Sequence, residues 1–173
     1  MKIAQLFRVV LVCAGMLAVA EGASTPRPLA DVTVPLANGK SIRMSQYKGK
    51  VMVVALISST CEHCLTSMDL LSKLQREYGP QGFQVVAVAA DDNAAKMVGP
   101  LTRVRDIAYP LGYLDRNTTM QLCDFKPIDH PFVPMYLFVD KKGTVRFQYN
   151  GDDNFFKAEE KNTRILVEAL LKQ

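Results

Sequence analysis

The 173-residue chain has no tryptophan, only two histidines and only four cysteines. Four cysteines are too few to staple a small secreted fold, so their spacing matters more than their number. Glycine and proline are modest, 10 and 9 residues, and no period recurs along the chain. That excludes collagen, coiled coil and solenoid repeats. The formal charge of +4 is small and makes no basic tail, so nothing argues for nucleic acid. With 49% hydrophobic and 22% charged residues, the chain has the balance of one globular domain rather than of a disordered one.

No apolar run is long enough to cross a bilayer comfortably. Val9–Ala20 holds twelve apolar or small residues without a charge. As a helix it would reach about 18 Å, against roughly 30 Å of hydrocarbon. Lys2 and Arg8 precede it, and Ala18-Val19-Ala20 offers a small-x-small exit before Glu21. That pattern predicts a secretory signal over 1–20, lost on cleavage together with Cys13. The alternative is an uncleaved membrane anchor. The mature chain would carry +2 and be periplasmic or secreted, in an oxidising compartment. Its cysteines there are Cys61, Cys64 and Cys123.

Residues 21–31, rich in proline and small polar residues, read as a linker, and 32–173 as the folded domain. Val32–Val34 and Ser41–Met44 flank Asn38-Gly39, a hairpin signal. Val51–Ile57 and Phe83–Ala90 are unbroken apolar runs, the mark of strands covered on both faces. Between them Leu65, Met68, Leu71, Leu74 and Tyr78 recur at helical spacing until Gly79-Pro80. A weaker helix is expected over Ala94–Asp106, interrupted at Gly99-Pro100. Short elements follow at Tyr109–Leu114 and Arg116–Lys126. Pro134–Val139 and Thr144–Tyr149 make a hairpin about Lys141-Lys142-Gly143. A closing helix over Asn154–Leu171 is expected to turn Ile165, Leu166, Ala169 and Leu170 inward. Alternating buried strands and helices predict an α/β fold with a central mixed sheet, helices on both faces and an N-terminal β-hairpin extension.

Cys61-Glu62-His63-Cys64 stands where the first buried strand gives way to a helix. Free N–H groups and the helix dipole stabilise an anion at that point, and the thiolate is the nucleophilic form of cysteine. Two intervening residues close a very small ring, which adds little loop-closure stabilisation and leaves a disulfide exchangeable.

With these residues the sequence resembles the thioredoxin-like superfamily, and within it the exported TlpA-like thiol–disulfide oxidoreductases of the redoxin branch. The resemblance runs from about Val32 to Leu171. Its markers are Asn38-Gly39-Lys40 with Tyr47-Lys48-Gly49-Lys50, the strand into Cys61–Cys64, and Gly82-Phe83-Gln84-Val85-Val86-Ala87-Val88. Val133-Pro134, Val139-Asp140, Gly143 and Gly151 complete the set. The resemblance implies that Cys61 is the attacking thiolate and Cys64 the buried resolving thiol. It implies a cis Pro134 against the sulfur pair, with Val133 and Thr60 offered to substrate. Glu62 and His63 would tune the pair in opposite senses. Protein thiols and disulfides are the implied partners, with a membrane or soluble thiol as electron partner and no cofactor or metal. A monomer is expected.

The chain also departs from these relatives. Thr60 replaces the tryptophan that commonly precedes the first cysteine. Val51–Ile57 lacks the buried carboxylate that thioredoxin carries there. Ser67 stands where cytochrome c maturation reductases usually have glutamate. Two other readings remain open at this point. In a peroxiredoxin-like thiol peroxidase Ser58 matches the hydroxyl three before the cysteine, with Val54 in place of the proline. In a copper metallochaperone Cys61, Cys64 and His130 would be the ligands. Cys123 reads as a buried small hydrophobe, and Asp91-Asp92 and the Lys/Glu-rich start of the last helix as solvated faces.

Overall fold

The structure, a computed structural model, describes residues 24–126 and 131–173. The segment expected to be a signal, Cys13 within it, and His130 lie outside the described residues.

Among the described residues eight strands and four α-helices follow one another. They are β1 (Arg27–Pro28), β2 (Thr33–Pro35), β3 (Ser41–Arg43), β4 (Val51–Ile57), α1 (Glu62–Tyr78), β5 (Phe83–Ala89), α2 (Ala94–Val104), β6 (Leu111–Tyr113), α3 (Arg116–Cys123), β7 (Met135–Val139), β8 (Thr144–Tyr149) and α4 (Glu159–Leu171). Six strands form one mixed sheet in the order β1-β8-β7-β4-β5-β6, and β2 and β3 form a separate hairpin. This is the thioredoxin-like fold, with the expected hairpin extension.

The apolar runs explain the middle of the sheet. All seven residues of β4 and all seven of β5 are buried. They pair in parallel from Val51–Phe83 to Ile57–Ala89. Parallel neighbours need crossovers, and crossovers are right-handed. α1 links β4 to β5 and α2 links β5 to β6, both moving outward in the same direction, so both helices cover one face. Met68, Leu71 and Leu74 of α1 and Val98 of α2 share a core there with Val167 and Leu170 of α4. The opposite face is covered by Leu122 and Cys123 of α3, with Val34 and Met44 from the hairpin region. Burying this much aliphatic surface, at about 25 cal/mol per Å², is the main force holding the layers together.

The hairpin is pinned to the far edge of the sheet. Leu36 bridges to Gly112 of β6. A Cβ on Gly112 would lie 2.4 Å from the Pro35 carbonyl, so only glycine permits this approach.

Three expectations are corrected. The segment expected to be a linker supplies an edge strand: Arg27 and Pro28 pair with Val145 and Thr144 of β8. Proline suits an edge, where one side of the strand needs no donor. The helix α2 runs through Gly99-Pro100 and ends at Val104, short of Asp106. Pro100 removes one N–H, but the carbonyl it would have bonded belongs to exposed Lys96, which water can reach. In α4 Leu170 is buried and Leu166 packs on the core as expected, but Thr163 and Val167 complete the inward face, while Ile165 is 54% exposed and Ala169 is exposed. The run Ile165–Leu171 is apolar almost all round, so residue type alone does not choose its face.

Candidate active site

β4 ends at Ile57 on the edge of the core, and Ser58–Thr60 carry the chain into α1. Cys61 caps the helix from an extended backbone, φ −86° and ψ 114°, with its sulfur facing the first turn. The Cys64 N–H donates to Cys61 Sγ at 3.2 Å. A sulfur bearing negative charge would thus meet a peptide donor and the positive end of a 17-residue helix. Cys61 is half-buried and Cys64 is fully buried, and both are thiols here. Burial, with the Cys61 sulfur alongside, pushes the Cys64 thiol up to about 12. The two cysteines therefore differ in access.

Asp91 fixes the loop that delivers Cys61. It follows β5, the strand beside β4, and its carboxylate accepts from the Ser59 N–H at 2.6 Å and the Ser59 hydroxyl at 2.8 Å. The Asn93 N–H is a third donor at 3.2 Å. Burial alone would raise this carboxyl, but the donors outweigh it and hold Asp91 below the usual aspartate value. Asp91 is thus no solvated surface charge, as its sequence context suggested.

The second wall is the segment before β7. The Val133–Pro134 peptide is cis, and Pro134 is buried. The Cys61 thiol points at the Val133 carbonyl, 4.0 Å away. Behind it the Gly151 N–H donates to the Phe132 carbonyl at 3.0 Å. A Cβ on Gly151 would lie 2.7 Å from the Val133 oxygen and 2.8 Å from its carbon, so a side chain there would displace Val133. Phe132, beside this wall, is 61% exposed. A cavity of about 200 Å³ opens alongside, lined by Ser58, Asp91, Met120 and Val133 among others. A slightly larger one, about 240 Å³, lies at the far end of β4 around Met52; neither cavity has a cysteine in its walls.

Thr60 and Glu62 are exposed. The Thr60 hydroxyl lies 3.3 Å from that of Ser58. His63 is turned toward the start of α4: its Nε2 lies 3.6 Å from Glu159 Oε2, and its ring meets Phe156 edge-on at 5.8 Å. Glu159, at the start of α4, is only 11% exposed in its side chain and accepts from the Tyr136 hydroxyl at 2.5 Å. Reading this stretch as a solvated face missed Glu159. Nothing in the local sequence distinguishes it from its neighbour Glu160, and only the packing of α4 on β7 turns it inward.

The structure therefore brings Cys61, Cys64, Val133 and Pro134 together, with Thr60 and Glu62 at the rim. It places His63 against α4. Cys123 is remote, buried on α3 against the other face, and burial pushes its thiol up to about 12. Among the described residues no cluster of three His, Cys, Asp or Glu side chains could hold a metal ion. The copper triad depends on His130, outside that set. Among the same residues no helix is long and apolar enough to cross a membrane.

Solved structures share this architecture. A thiol:disulfide interchange protein of the thioredoxin family from Chlorobium tepidum superposes with a TM-score of 0.71 at 18% identity, over 86% of this chain and 98% of that one. The thioredoxin domain of a thiol-disulfide oxidoreductase from Bacteroides vulgatus gives 0.62 at 18% identity, over 80% and 97%. By sequence, a "Probable phospholipid hydroperoxide glutathione peroxidase" from Solanum lycopersicum is 26% identical over 84 residues, 49% of this chain and 50% of the relative. The chain spans about half the length of the curated relatives it matches. The Redoxin family model matches residues 21–164, most of the chain, so the protein belongs to the Redoxin family.

Proposed function

We propose that the protein is an exported thiol–disulfide oxidoreductase that exchanges disulfides with protein substrates through Cys61 and Cys64. The observation that carries this reading is the unequal pair at the mouth of α1. One sulfur is accessible and capped by a peptide N–H, and the other is buried three residues on. Cys61 attacks a substrate disulfide and forms a mixed disulfide. Cys64 then attacks Cys61, closes the intramolecular disulfide and releases the reduced substrate. Run backward, the same steps oxidise a dithiol. The substrate strand lies against Val133 and Thr60, with Glu62 at the rim, and no cofactor is needed.

Export rests on the charged start, apolar centre and small exit residues of 1–20. In an oxidising compartment a thiol electron partner, soluble or in the membrane, keeps the pair cycling. The test is insulin reduction by dithiothreitol. Wild type accelerates it, Cys61→Ala abolishes the acceleration, and a Cys61→Ala variant as active as wild type contradicts the assignment.

A second reading is favoured by the partial similarity to glutathione peroxidases. A thiol peroxidase would use the same Cys61 thiolate against a peroxide, with Cys64 resolving the sulfenic acid. Peroxide consumption with a thiol donor, faster than insulin turnover, would select it.

A further inference from the structure

The cavity at the far end of β4 plays no part in the sulfur chemistry. Met52 lies five residues before Ile57, roughly 16 Å down the strand from the loop that carries Cys61. Three stretches of chain wall the cavity: 28–31, 44–52 and 140–143. Backbone bonds tie them to one another and to the strand beside them. The Leu29 N–H donates to the Gly143 carbonyl at 2.9 Å, the Gly49 N–H to the Lys141 carbonyl at 3.0 Å, and the Met44 N–H to the Val32 carbonyl at 3.1 Å. The hollow is therefore formed before anything enters it, and binding costs little in ordering it.

Its floor is apolar. Met44 and Met52 are each 2% exposed, and half-buried Leu29 and Tyr47 stand beside them. Methionine offers a soft, adaptable surface that suits ring contacts. Its rim is cationic. Lys48, Lys50 and Lys142 are exposed there, and among the described residues their side chains have no hydrogen bond or ion pair. The two acids in the wall are already matched. Asp31 accepts from the Arg43 guanidinium and from the Ser45 N–H at 3.0 Å. Asp140 accepts from the Lys142 and Thr144 N–H groups, each at 2.9 Å, and from Arg146 Nε at 2.7 Å. Burial alone would raise Asp140, but these donors hold it below the ordinary aspartate value. Lys141, next in the chain, is spent on the Leu171 carbonyl at 2.8 Å. With an arginine for each acid, the three lysines stand as uncompensated positive charges around one apolar hollow. They repel one another, and an anion seated among them relieves that repulsion.

We propose that this cavity binds a small amphipathic organic anion, a ring or short aliphatic body with a carboxylate or phosphate head. The body lies on Met44 and Met52, and the head meets Lys48, Lys50 and Lys142. Size sets the limit. An apolar cavity of about 150 Å³ takes benzene, so about 240 Å³ accommodates two fused rings. The site stands apart from the oxidoreductase reading, because its occupant leaves the approach to Cys61 open.

The test is a titration of the isotope-labelled, reduced full chain with 2-naphthoate, followed by amide shifts. Shifts around Met52 and Lys142 should saturate with a Kd of about 1 mM or tighter, as expected for a ligand of this size. The neutral isostere 2-naphthalenemethanol should bind at least about tenfold more weakly, since it forgoes all three charge contacts. Raising salt from about 0.01 to about 1 M should weaken naphthoate and leave the alcohol unchanged. The paired substitution Lys48→Gln and Lys142→Gln should raise the naphthoate Kd at least about fivefold, the loss of two exposed charge contacts. If that variant does not fold, the alcohol and salt arms decide on wild type. Soluble dihexanoyl phosphatidylglycerol, added as a competitor, displaces naphthoate if the anion is a lipid headgroup and leaves it in place if the anion is free in solution; both results keep the site. No saturation by naphthoate up to about 10 mM, an alcohol that binds as tightly, or a folded double variant with the wild-type Kd overturns the proposal.

Discussion

Replacing Asp91 should loosen the loop that holds Cys61 before it disturbs the sheet beneath. The carboxylate takes three bonds, two of them from Ser59 at 2.6 and 2.8 Å. Hydrogen bonds to a charged group contribute about 1.5–3 kcal/mol each, and a buried donor left without a partner costs about 1–3 kcal/mol. Ser59 is 4% exposed, so water cannot fully replace what is lost. Asp91→Asn keeps one acceptor oxygen and turns an amide toward the other donor, for an expected loss of about 2 kcal/mol. Asp91→Ala leaves both Ser59 donors unpaired, for about 3–4 kcal/mol. Urea unfolding by two independent probes measures this at neutral pH. The sign of its pH dependence is fixed by the bonds. Asp91 is held below its unfolded value, so its contribution is full above about 3.9 and is lost as pH falls through the lower folded value. The gap between wild type and Asp91→Asn should therefore narrow in acid. A neutral-pH loss under about 0.5 kcal/mol, or a gap that stays constant into strong acid, refutes the reasoning.

Other consequences can be checked as directly. Gly151→Ala should cost about 1–3 kcal/mol, since its Cβ meets backbone rather than a yielding side chain, and should lower insulin turnover by displacing Val133. Leu74→Ala, at a fully buried position under the sheet, should cost about 2–5 kcal/mol in the same unfolding assay and leave the reactivity of Cys61 in the folded protein unchanged. Brief alkylation of the reduced native protein near pH 8, read by peptide mass, should label Cys61. It should spare Cys64 and Cys123, which are buried and whose thiols are pushed up to about 12.

How much of this was legible in the sequence depended on whether the signal was local. β4, β5 and the first crossover could be read because an apolar run bounded by turns and a helical spacing are properties of adjacent residues. The sulfur pair was legible for the same reason: two cysteines at the start of a helix lie next to each other in sequence. Asp91 and Glu159 were not. Each looks like its charged neighbour, and each is turned inward by a partner far along the chain, Ser59 and Tyr136. The edge strand at Arg27–Pro28 was hidden because two residues carry no period, and β8 supplies the pairing. The inward face of α4 was legible only in part, at Leu166 and Leu170, because apolar residues occupy nearly every position of its last two turns, and only the sheet decides which of them it covers.

All of this depends on the Cys61–Cys64 couple opening and closing under mild conditions. Equilibrating the protein in graded glutathione buffers and measuring the reduced fraction by alkylation and mass gives its potential. The account predicts a single two-electron transition between about −120 and −270 mV, the range of exchange catalysts. A Cys61–Cys64 disulfide that forms but resists reduction to below about −300 mV, as structural bridges do, would contradict it, and so would a pair that forms no disulfide at all.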